Sequence, residues 1–236
     1  MVLKQNFTVS TQTETPSAKL HNWLIEPREY ERQEQRRGRR FAFERIAAKQ
    51  TALVVIDMIP FFVAESGYCR DIVPNITRLA NALRVIGGLV SWIVPGAIQP
   101  HPALAEEFYG KEIAELYRMS GGSGALTERI WSDLHPEPND LFLEKFSYSA
   151  FFPGACDLPL VLRERGIDTV IVTGTLTNIC CESSARDAFA SGFRVIMVAD
   201  GTAARRDQDH NAALHNVYRS FGDVRSSDEV VGLLRQ

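Results

Sequence analysis

The sequence predicts an α/β domain built on a parallel sheet that helices cover on both faces. Two observations carry this prediction. Segments with the pattern of strands alternate with segments with the pattern of helices, and each predicted strand is apolar throughout rather than at every second residue. A chain of 236 residues is long enough to bury the core of one such domain. We place the domain at residues 49–236, after an N-terminal arm formed by residues 1–48.

The first half of the domain opens with a predicted buried strand. TALVVIDM (51–58) is continuous and rich in β-branched residues, as parallel strands with two covered faces are. Segment 73–88 has the spacing of an amphipathic helix and ends in glycines, and LVSWIVP (89–95) is a second strand. The pattern of 96–139 is weaker. It allows a helix at 103–118, and we expect this region to supply most of the lid over any pocket.

The second half repeats the alternation with clearer signals. Three further apolar strands are predicted, DLFLEK, TVIVTG and RVIMVAD, at 140–145, 169–174 and 194–200. Helical patterns follow these strands at 156–166, 178–192 and 207–222. A short strand and a final helical turn complete the chain. No internal repeat interrupts this order, so we expect a single domain.

Composition disfavours several classes of protein. Apolar residues make up 45% of the chain and the formal net charge is only −3. Proteins that bind nucleic acid through electrostatic attraction are usually strongly basic, so this composition disfavours that class. No run approaches the length of a membrane span, and residues 1–20 lack the apolar segment of a secretory signal. The cysteines show neither a disulfide framework nor zinc-ligand spacing. We expect a cytoplasmic protein with no nucleic-acid or membrane partner.

The arm carries a basic segment, ERQEQRRGRR (31–40), whose five arginines are only partly offset by two glutamates. Such a segment could bind phosphate groups or nucleic acid, or it could be a solvated stretch that wraps its own domain or a neighbouring subunit. The basic run stands alone, which favours the second interpretation. Trp23, Phe41 and Phe43 indicate that parts of the arm pack, so we expect the arm to be structural.

Three reactive side chains lie at the ends of three predicted strands. Asp57 ends the first strand, Lys145 ends the third, and Cys180 follows the fourth in TGTLTNICC. Ligands of open α/β sheets bind beyond the carboxyl ends of the strands, so these three side chains are expected at one site. Singly, each has a common structural explanation: a helix cap for the Asp, a solvated strand end for the Lys, and a small buried hydrophobe for the Cys. Their coincidence favours function.

The three residue types also fit one chemistry. Cys180 falls in the first turn of a predicted helix, where free N–H groups and the helix dipole favour negative charge, and the Lys145 ammonium would add to this. We therefore expect a lowered thiol pKa. Asp57 could accept the thiol proton and later donate a proton to a leaving amine. A thiol nucleophile, an acid–base group and a cation are the parts that acyl transfer requires.

The same residues carry a resemblance. VVIDM, EKFSYSAFF and GTLTNIC resemble the motifs of the isochorismatase-like cysteine hydrolases, with Asp57, Lys145 and Cys180 at the positions of the catalytic acid, lysine and nucleophile. The resemblance runs from about residue 51 to the end of the chain. It implies a three-layer, Rossmann-like fold with a six-stranded parallel sheet. It also implies a covalent acyl-enzyme, chemistry without metal or organic cofactor, and a homo-oligomer, dimer or tetramer.

Two backbone features follow from the resemblance. The family has a cis peptide bond ahead of the cysteine, which maps onto Thr175–Leu176. The implied purpose of this geometry is an oxyanion hole formed by the backbone N–H groups of Leu176 and Cys180. Cys181 must then point away from Cys180, because one position along a helix rotates a side chain by about 100°. Cys69 and Cys156 are expected to be structural.

Within the family, TNICCESSARDA and DHNAALHNVYRSFGDV are most similar to amidases that act on ureido or carbamoyl compounds, such as ureidoacrylate and biuret hydrolases. Ile59 departs from this pattern, since the family often has Gln there. SGYCRD (66–71) replaces the metal-binding Asp-x-His stretch of nicotinamidases, and Cys180 argues against the C–O-cleaving members, which lack the cysteine. Two functions of a different kind also fit parts of the sequence: a thiol redox sensor that uses Cys180 and Cys181, and a catalytically silent binding domain.

Aromatic residues near the strand ends are candidates for a small substrate pocket. Simple core packing is an equally good explanation for each of them. The candidates are Phe61, Phe62, Trp92, Tyr148, Phe151 and Phe152. Together with the three reactive residues, they predict a metal-free amidohydrolase for a small amide or ureido substrate.

Overall fold

A computed structural model describes residues 19–64, 66–96 and 101–235. Its centre is a six-stranded sheet in the order β3-β2-β1-β4-β5-β6, in which every neighbouring pair is parallel. The strands are β1 (Thr51–Ile56), β2 (Leu89–Pro95), β3 (Leu141–Lys145), β4 (Thr169–Thr175), β5 (Arg194–Ala203) and β6 (Asp223–Arg225). The predicted fold class is confirmed. Residues 1–18 of the predicted arm and 97–100 of the predicted lid region lie outside the described residues.

Ten α-helices accompany the sheet within the described residues. They are α1 (Pro27–Arg37), α2 (Pro60–Val63), α3 (Gly67–Asp71), α4 (Val73–Val85), α5 (Pro102–Tyr109), α6 (Lys111–Met119), α7 (Leu158–Glu164), α8 (Glu182–Ala190), α9 (Asp207–Ser220) and α10 (Ser227–Leu234). In the described ranges, no helix combines the length and the apolar character that crossing a membrane requires.

The core lies on both faces of the sheet because the strand side chains alternate between them. In β1, Val54 and Ile56 contact the core beneath α7, α8 and α9, whereas Leu53 and Val55 contact the core beneath α4 and α10. All six residues of β1 are buried, as the unbroken apolar run predicts. Helix α4 buries positions spaced by three and four residues, which is the stripe expected of an amphipathic helix on a sheet.

The structure differs from the sequence prediction in the less regular regions. The helix allowed at 103–118 is two helices, α5 and α6, because Gly110 breaks it with a φ of 81° that favours glycine. Strand β5 continues past its predicted end at Asp200 because, after a bulge, Thr202 and Ala203 pair with the end of β4. The predicted final helical turn is a longer helix, α10, stabilised by a capping box from Ser226 and Glu229.

The described part of the arm packs against its own domain, and it contains a helix, α1, that its sequence pattern did not predict. The ring of Tyr30 in α1 meets Tyr218 of α9 edge to face at 5.0 Å between centroids. The buried Asp223 carboxylate accepts hydrogen bonds from the N–H groups of Ala42 and Phe43, at 2.7 and 2.9 Å. Side-chain stacking and backbone hydrogen bonds therefore both attach the arm.

Candidate active site

Three strand ends bring Asp57, Lys145 and Cys180 into direct contact. The Lys145 Nζ lies 2.9 Å from Asp57 Oδ2 and 3.5 Å from Cys180 Sγ. Asp57, Lys145 and Cys180 are 1%, 4% and 7% exposed. They meet beside the boundary of β1 and β4, where the strand order reverses and α/β folds place their ligands. The structure thus assembles the three predicted residues at one buried site.

The backbone around Asp57 explains how an acidic side chain is held there. Asp57 adopts a φ of 51°, in the left-handed region that few non-glycine residues adopt. Its N–H donates to the Ile93 carbonyl at 2.8 Å, and its own carbonyl accepts from the Thr175 hydroxyl at 2.8 Å. The neighbouring strands thus fix the turn from two sides, and the carboxylate is directed across the end of the sheet.

Gly174 allows β1 and β4 to approach closely at this point. Its φ is 108°, and a Cβ added there would lie 2.0 Å from the carbonyl oxygen of Ile56. No other residue type fits without moving one of the two strands. The glycine of the TGT sequence therefore brings the end of β4 next to Asp57.

The segment Thr175–Cys181, which we call the corner, carries the thiol. The peptide bond Thr175–Leu176 is cis, as the resemblance implies. A π-helical turn, Thr177–Cys181, follows and leads into α8, so Cys180 precedes the regular helix rather than lying in its first turn. The Cys181 N–H donates to the Leu176 carbonyl at 3.2 Å. Leu176 and Cys180, whose N–H groups we expected to form an oxyanion hole, thus belong to one hydrogen-bonded turn.

Lys145 is the electrostatic centre of the site. Besides Asp57 and Cys180, its ammonium donates to the Ser147 carbonyl at 3.0 Å, so each of its three N–H donors has a partner. Burial acts to lower the pKa of Lys145, but the charges of Asp57 and Cys180 and the hydrogen bonds to them raise it. Lys145 is therefore a stable cation at neutral pH.

The thiol differs from expectation. The pKa of Cys180 is raised to about 12, because burial and the Asp57 charge oppose its ionisation more than Lys145 favours it. The predicted lowering of the thiol pKa is wrong, since the sequence did not reveal how deeply the group is buried. Burial also raises the pKa of Asp57, although Lys145 and Cys180 act in the opposite direction. The resting site thus holds a protonated thiol beside a carboxylate–ammonium pair.

This arrangement makes proton transfer within the site feasible. A proton that moves from Cys180 to Asp57 replaces one negative charge with another beside the same ammonium, so the net charge of the buried site does not change. Among the described residues, Asp57 Oδ1 has no hydrogen-bond partner in the structure, which leaves it free to accept a proton. An isolated thiolate is unfavourable here, whereas a thiolate formed together with a neutral Asp57 adds no second negative charge to the buried site.

All four cysteines lie in the described ranges and are free thiols. Cys181 is fully buried in the core beneath α8 and α9, and its Sγ lies 3.8 Å from the Thr173 carbonyl. Cys69 and Cys156 are buried at other places, where burial raises the pKa of each thiol. Only Cys180 contacts both Asp57 and Lys145 in the described part of the chain.

The six predicted pocket residues lie in different surroundings. Trp92 is in mid-strand, fully buried, and donates its indole N–H to Asp140 at 2.7 Å, and Phe151 packs edge to face on Phe193 in the core. These two are core residues, and the explanation by packing is the one the structure favours. Phe152 is about half exposed. Phe61, Phe62 and Tyr148 belong to the cluster described next.

A row of five aromatic rings, which we call the aromatic row, runs from α2 to the loop after β3. Phe62 contacts Phe61, Phe61 contacts Tyr117, and Tyr117 contacts Tyr109, with centroids 4.9, 6.2 and 5.2 Å apart. The Tyr109 hydroxyl meets the Tyr148 hydroxyl. Burial, this contact and the nearby Cys180 charge raise the pKa of Tyr148, so the row ends close to the thiol.

Tyr109 and Tyr117 were not among the residues predicted from the sequence. They lie in α5 and α6, which we call the helical pair, within the region expected to form a lid. The only signal for them was the presence of tyrosines in that region.

Among the described residues, no group of three or more His, Cys, Asp or Glu side chains is placed to hold a metal ion. Metal-free chemistry stays a prediction, which activity measurements can test.

Comparisons with known proteins address the family and the fold of this chain. The family model of the isochorismatase domain matches residues 51–229. A ureidoacrylate amidohydrolase of Agrobacterium fabrum is 30% identical over 210 residues, covering 79% of this chain and 91% of that protein.

Solved structures show the same fold. A cysteine hydrolase from Pseudomonas syringae pv. phaseolicola matches with a TM-score of 0.69 and 26% identity, over 83% of this chain and 96% of that one. N-carbamoylsarcosine amidase from Thermoplasma acidophilum matches with a TM-score of 0.61 and 27% identity, over 76% of this chain and 97% of that one. The predicted resemblance and the prediction of a hydrolase are confirmed at the level of the family: this chain belongs to the isochorismatase family.

Proposed function

We propose that this protein is a cysteine amidohydrolase that cleaves a C–N bond of a small amide, ureido or carbamoyl compound through a thioester. The observation that carries the proposal is the buried contact of one ammonium, Lys145 Nζ, with both Asp57 Oδ2 and Cys180 Sγ. This contact joins a nucleophile, a proton acceptor and a fixed cation within hydrogen-bond distance, which is the geometry that covalent acyl transfer needs.

In the first half-reaction, Asp57 accepts the thiol proton of Cys180 and the sulfur attacks the carbonyl carbon of the substrate. The C–N bond then breaks, and Asp57 returns the proton to the leaving nitrogen. An amide and a thiol thus become an amine or ammonia and a thioester. The high pKa of the resting thiol is compatible with this route, because proton transfer accompanies attack and no free thiolate has to accumulate.

In the second half-reaction, Asp57 accepts a proton from water as the water oxygen attacks the thioester carbonyl. The C–S bond breaks and the sulfur regains its proton, which releases a carboxylic or carbamic acid and restores the thiol. Lys145 remains protonated throughout, and its charge stabilises each anionic form of Cys180 and Asp57. The N–H groups of Leu176 and Cys180 are proposed to bind the oxyanion of each tetrahedral intermediate.

The substrate class is supported by relatives rather than by the fold. A ureidoacrylate amidohydrolase and an N-carbamoylsarcosine amidase are among the proteins to which this chain is similar, and both names describe amide or carbamoyl chemistry. The buried position of the three reactive residues favours a small substrate. Phe62 and Tyr148, at the two ends of the aromatic row, are proposed to line the pocket.

The protein is further proposed to act as a homo-oligomer, a dimer or a tetramer. Exposed apolar side chains on the helical pair support this, among them Leu104, Phe108 and Met119. Light scattering coupled to size exclusion tests the assembly directly, and a monomer at micromolar concentration contradicts it.

Incubation with a panel of ureido, carbamoyl and simple amide compounds tests the proposed function by ammonia or amine release. We expect turnover of at least one ureido or carbamoyl compound, retained after prolonged dialysis against a chelator, and an acyl adduct on Cys180 in intact-mass spectra with a slow substrate. Turnover that is lost on chelation and returns with one divalent ion contradicts the metal-free mechanism. An adduct on Cys181 contradicts the assignment of the nucleophile.

A further inference from the structure

A histidine of the arm is part of a ring stack that leads to the corner. The His21 ring lies between Tyr68 of α3 and His210 of α9, with centroids 3.8 and 4.1 Å apart and planes within 5° and 9° of parallel. The arm lies outside residues 51–229, the part of the chain that matches the family model. The stack is thus a contact between this chain's own N-terminal segment and the family domain.

The hydrogen bonds of His21 define the form of its ring. The N–H of Ala204, in the loop after β5, donates to His21 Nε2 at 3.0 Å, so this nitrogen is an acceptor. His21 Nδ1 then carries the proton and donates to the Asp207 carboxylate at 2.7 Å. Both nitrogens have partners, and the ring plane that stacks on His210 is fixed by two bonds to the segment 204–207, which joins β5 to α9.

His210 extends this contact to the corner. Its ring is fully buried, and His210 Nδ1 lies 2.9 Å from the Thr177 hydroxyl. Thr177 begins the π-helical turn, directly after Leu176 and three residues before Cys180. A displacement of the His210 ring would therefore act on the two residues whose N–H groups we propose for the oxyanion hole.

We propose that His21 and His210 are positioning residues: His21 fixes the His210 ring, and His210 fixes Thr177, so that the arm holds the oxyanion hole in its reactive geometry. This inference rests on the proposed function. It departs from our expectation of an arm with a purely structural role, because it makes one arm residue a determinant of turnover.

Two observations favour positioning over simple attachment. The arm is anchored independently by Asp223 and by Asn211, whose side chain accepts from the Leu24 N–H at 2.7 Å and donates to the Asn22 carbonyl at 3.0 Å. The second observation is that His210 is a fully buried imidazole whose Nδ1 is paired with the Thr177 hydroxyl. Burying an imidazole costs solvation, which an apolar side chain would avoid if the position only needed to be filled, so the bond to Thr177 is a reason for its presence.

The test compares two reactions of Cys180 in matched variants. Acylation by p-nitrophenyl acetate passes through a tetrahedral oxyanion, whereas alkylation by chloroacetamide does not. His21→Ala removes the stack and both hydrogen bonds, and His21→Phe keeps the stack alone. The control is Tyr30→Ala, which weakens the arm at Tyr218 without touching the corner.

We expect His21→Ala to lower kcat for acylation and for the ureido substrate by roughly tenfold or more, with KM within about twofold. Its rate of alkylation at Cys180 should stay that of the unaltered enzyme, because Asp57 and Lys145 are untouched. Tyr30→Ala should lower the melting temperature and leave both reactions unchanged. His21→Phe should fall between His21→Ala and the unaltered enzyme.

The remaining outcomes are decisive as well. Equal losses in acylation and alkylation, or equal effects of His21→Ala and Tyr30→Ala, show a merely structural role and overturn the inference. An unchanged kcat in His21→Ala overturns it too, while the proposed function stands. If neither p-nitrophenyl acetate nor any ureido compound acylates Cys180 in the unaltered enzyme, the proposed function fails, and the inference fails with it.

Discussion

The corner and the helical pair both approach the proposed substrate site, but they are held in different ways. Thr175, Leu176, Thr177, Cys180 and Cys181 of the corner are buried. In the helical pair only Ala114 is buried, while Phe108 and Met119 are 77% and 65% exposed. Hydrogen bonds from several elements fix the first region, whereas a row of aromatic contacts attaches the second.

We expect this difference to separate chemistry from substrate choice. The proposed reacting atoms lie at the strand ends and on the corner, where a shift of an ångström would be costly to turnover. The residues of the helical pair lie on elements with few buried contacts, which can change at little cost to the fold. Changes in the corner should therefore act on kcat or on stability, and changes in the helical pair should act on KM.

The largest effect is expected at the two vicinal cysteines of the corner. Cys180→Ser should reduce turnover roughly 10⁴-fold or more while the fold is retained, since the hydroxyl is a much weaker nucleophile. Cys181→Ser should leave most turnover intact and cost about 1 kcal/mol of stability, because it buries a hydroxyl in an apolar core. Steady-state kinetics and urea unfolding measure the two quantities. Equal loss of activity in both variants would favour a redox pair instead.

Asp57 should show the next largest effect. Asp57→Asn cannot accept the thiol proton or donate one to the leaving nitrogen, so kcat should fall about 10²- to 10⁴-fold. Burial raises the pKa of Asp57, and the carboxylate is the active form, so kcat/KM of the unaltered enzyme should fall as pH drops through that raised pKa. The residual activity of Asp57→Asn should lack this acid limb. If kcat/KM of the variant falls at low pH in the same way, a group other than Asp57 causes the fall.

His210 should make the stability of the fold sensitive to acid. Burial and the neighbouring His21 lower the pKa of His210 to about 3, against about 6.5 in the unfolded chain. A folded-state pKa below the unfolded value means that the unfolded state binds the proton first, so stability is lost as pH falls from about 6.5 towards 3. By pH 5 the loss from this group is about 2 kcal/mol relative to neutral pH.

The stability difference between pH 7 and pH 5 measures this effect by urea unfolding. It should shrink by about that amount in His210→Gln. His101→Gln is the matched control, because the His101 side chain is exposed to solvent, and it should leave the difference unchanged. An unaltered pH dependence in His210→Gln would show that His210 is not the group responsible.

The sequence predicted the corner far better than the helical pair, for physical reasons. Parallel strands place their carboxyl ends on one edge, so Asp57, Lys145 and Cys180 could be brought together from their positions in the pattern alone. The six-stranded parallel sheet followed from the alternation of strands and helices together with the family resemblance, whereas the order of its strands was not predicted. The raised pKa of Cys180 was missed because it depends on burial depth, which spacing along the chain does not encode.

Contacts between helices and loops that are distant in the chain could not be predicted from the sequence pattern. The stack of His21 on His210, and the pairing of Tyr109 with Tyr148, each join residues from unrelated segments. Trp92 shows the opposite problem, because its position in mid-strand, opposite Val55, already placed it away from the carboxyl end. Local pattern thus predicts what the sheet fixes, and it fails where side chains of separate elements meet.

The smallest effect is expected in the aromatic row. Tyr148→Phe removes the hydroxyl contact with Tyr109 but keeps the aromatic ring. The loss of one hydrogen bond at a half-exposed position should raise KM about two- to tenfold and leave kcat nearly unchanged. Tyr109→Phe removes the other half of the same contact and should match it, and the double variant should be no worse than either single one.

Phe108→Ser is the control on the same helical pair, since its exposed side chain contacts the aromatic row only through Tyr109. It should leave KM within about twofold and change assembly instead, if the exposed face joins subunits. A fall in kcat for Tyr148→Phe that equals its rise in KM would mean that the aromatic row shapes the reacting geometry. The contrast between a rigid corner that controls chemistry and a loosely held pair that controls substrate binding would then be wrong.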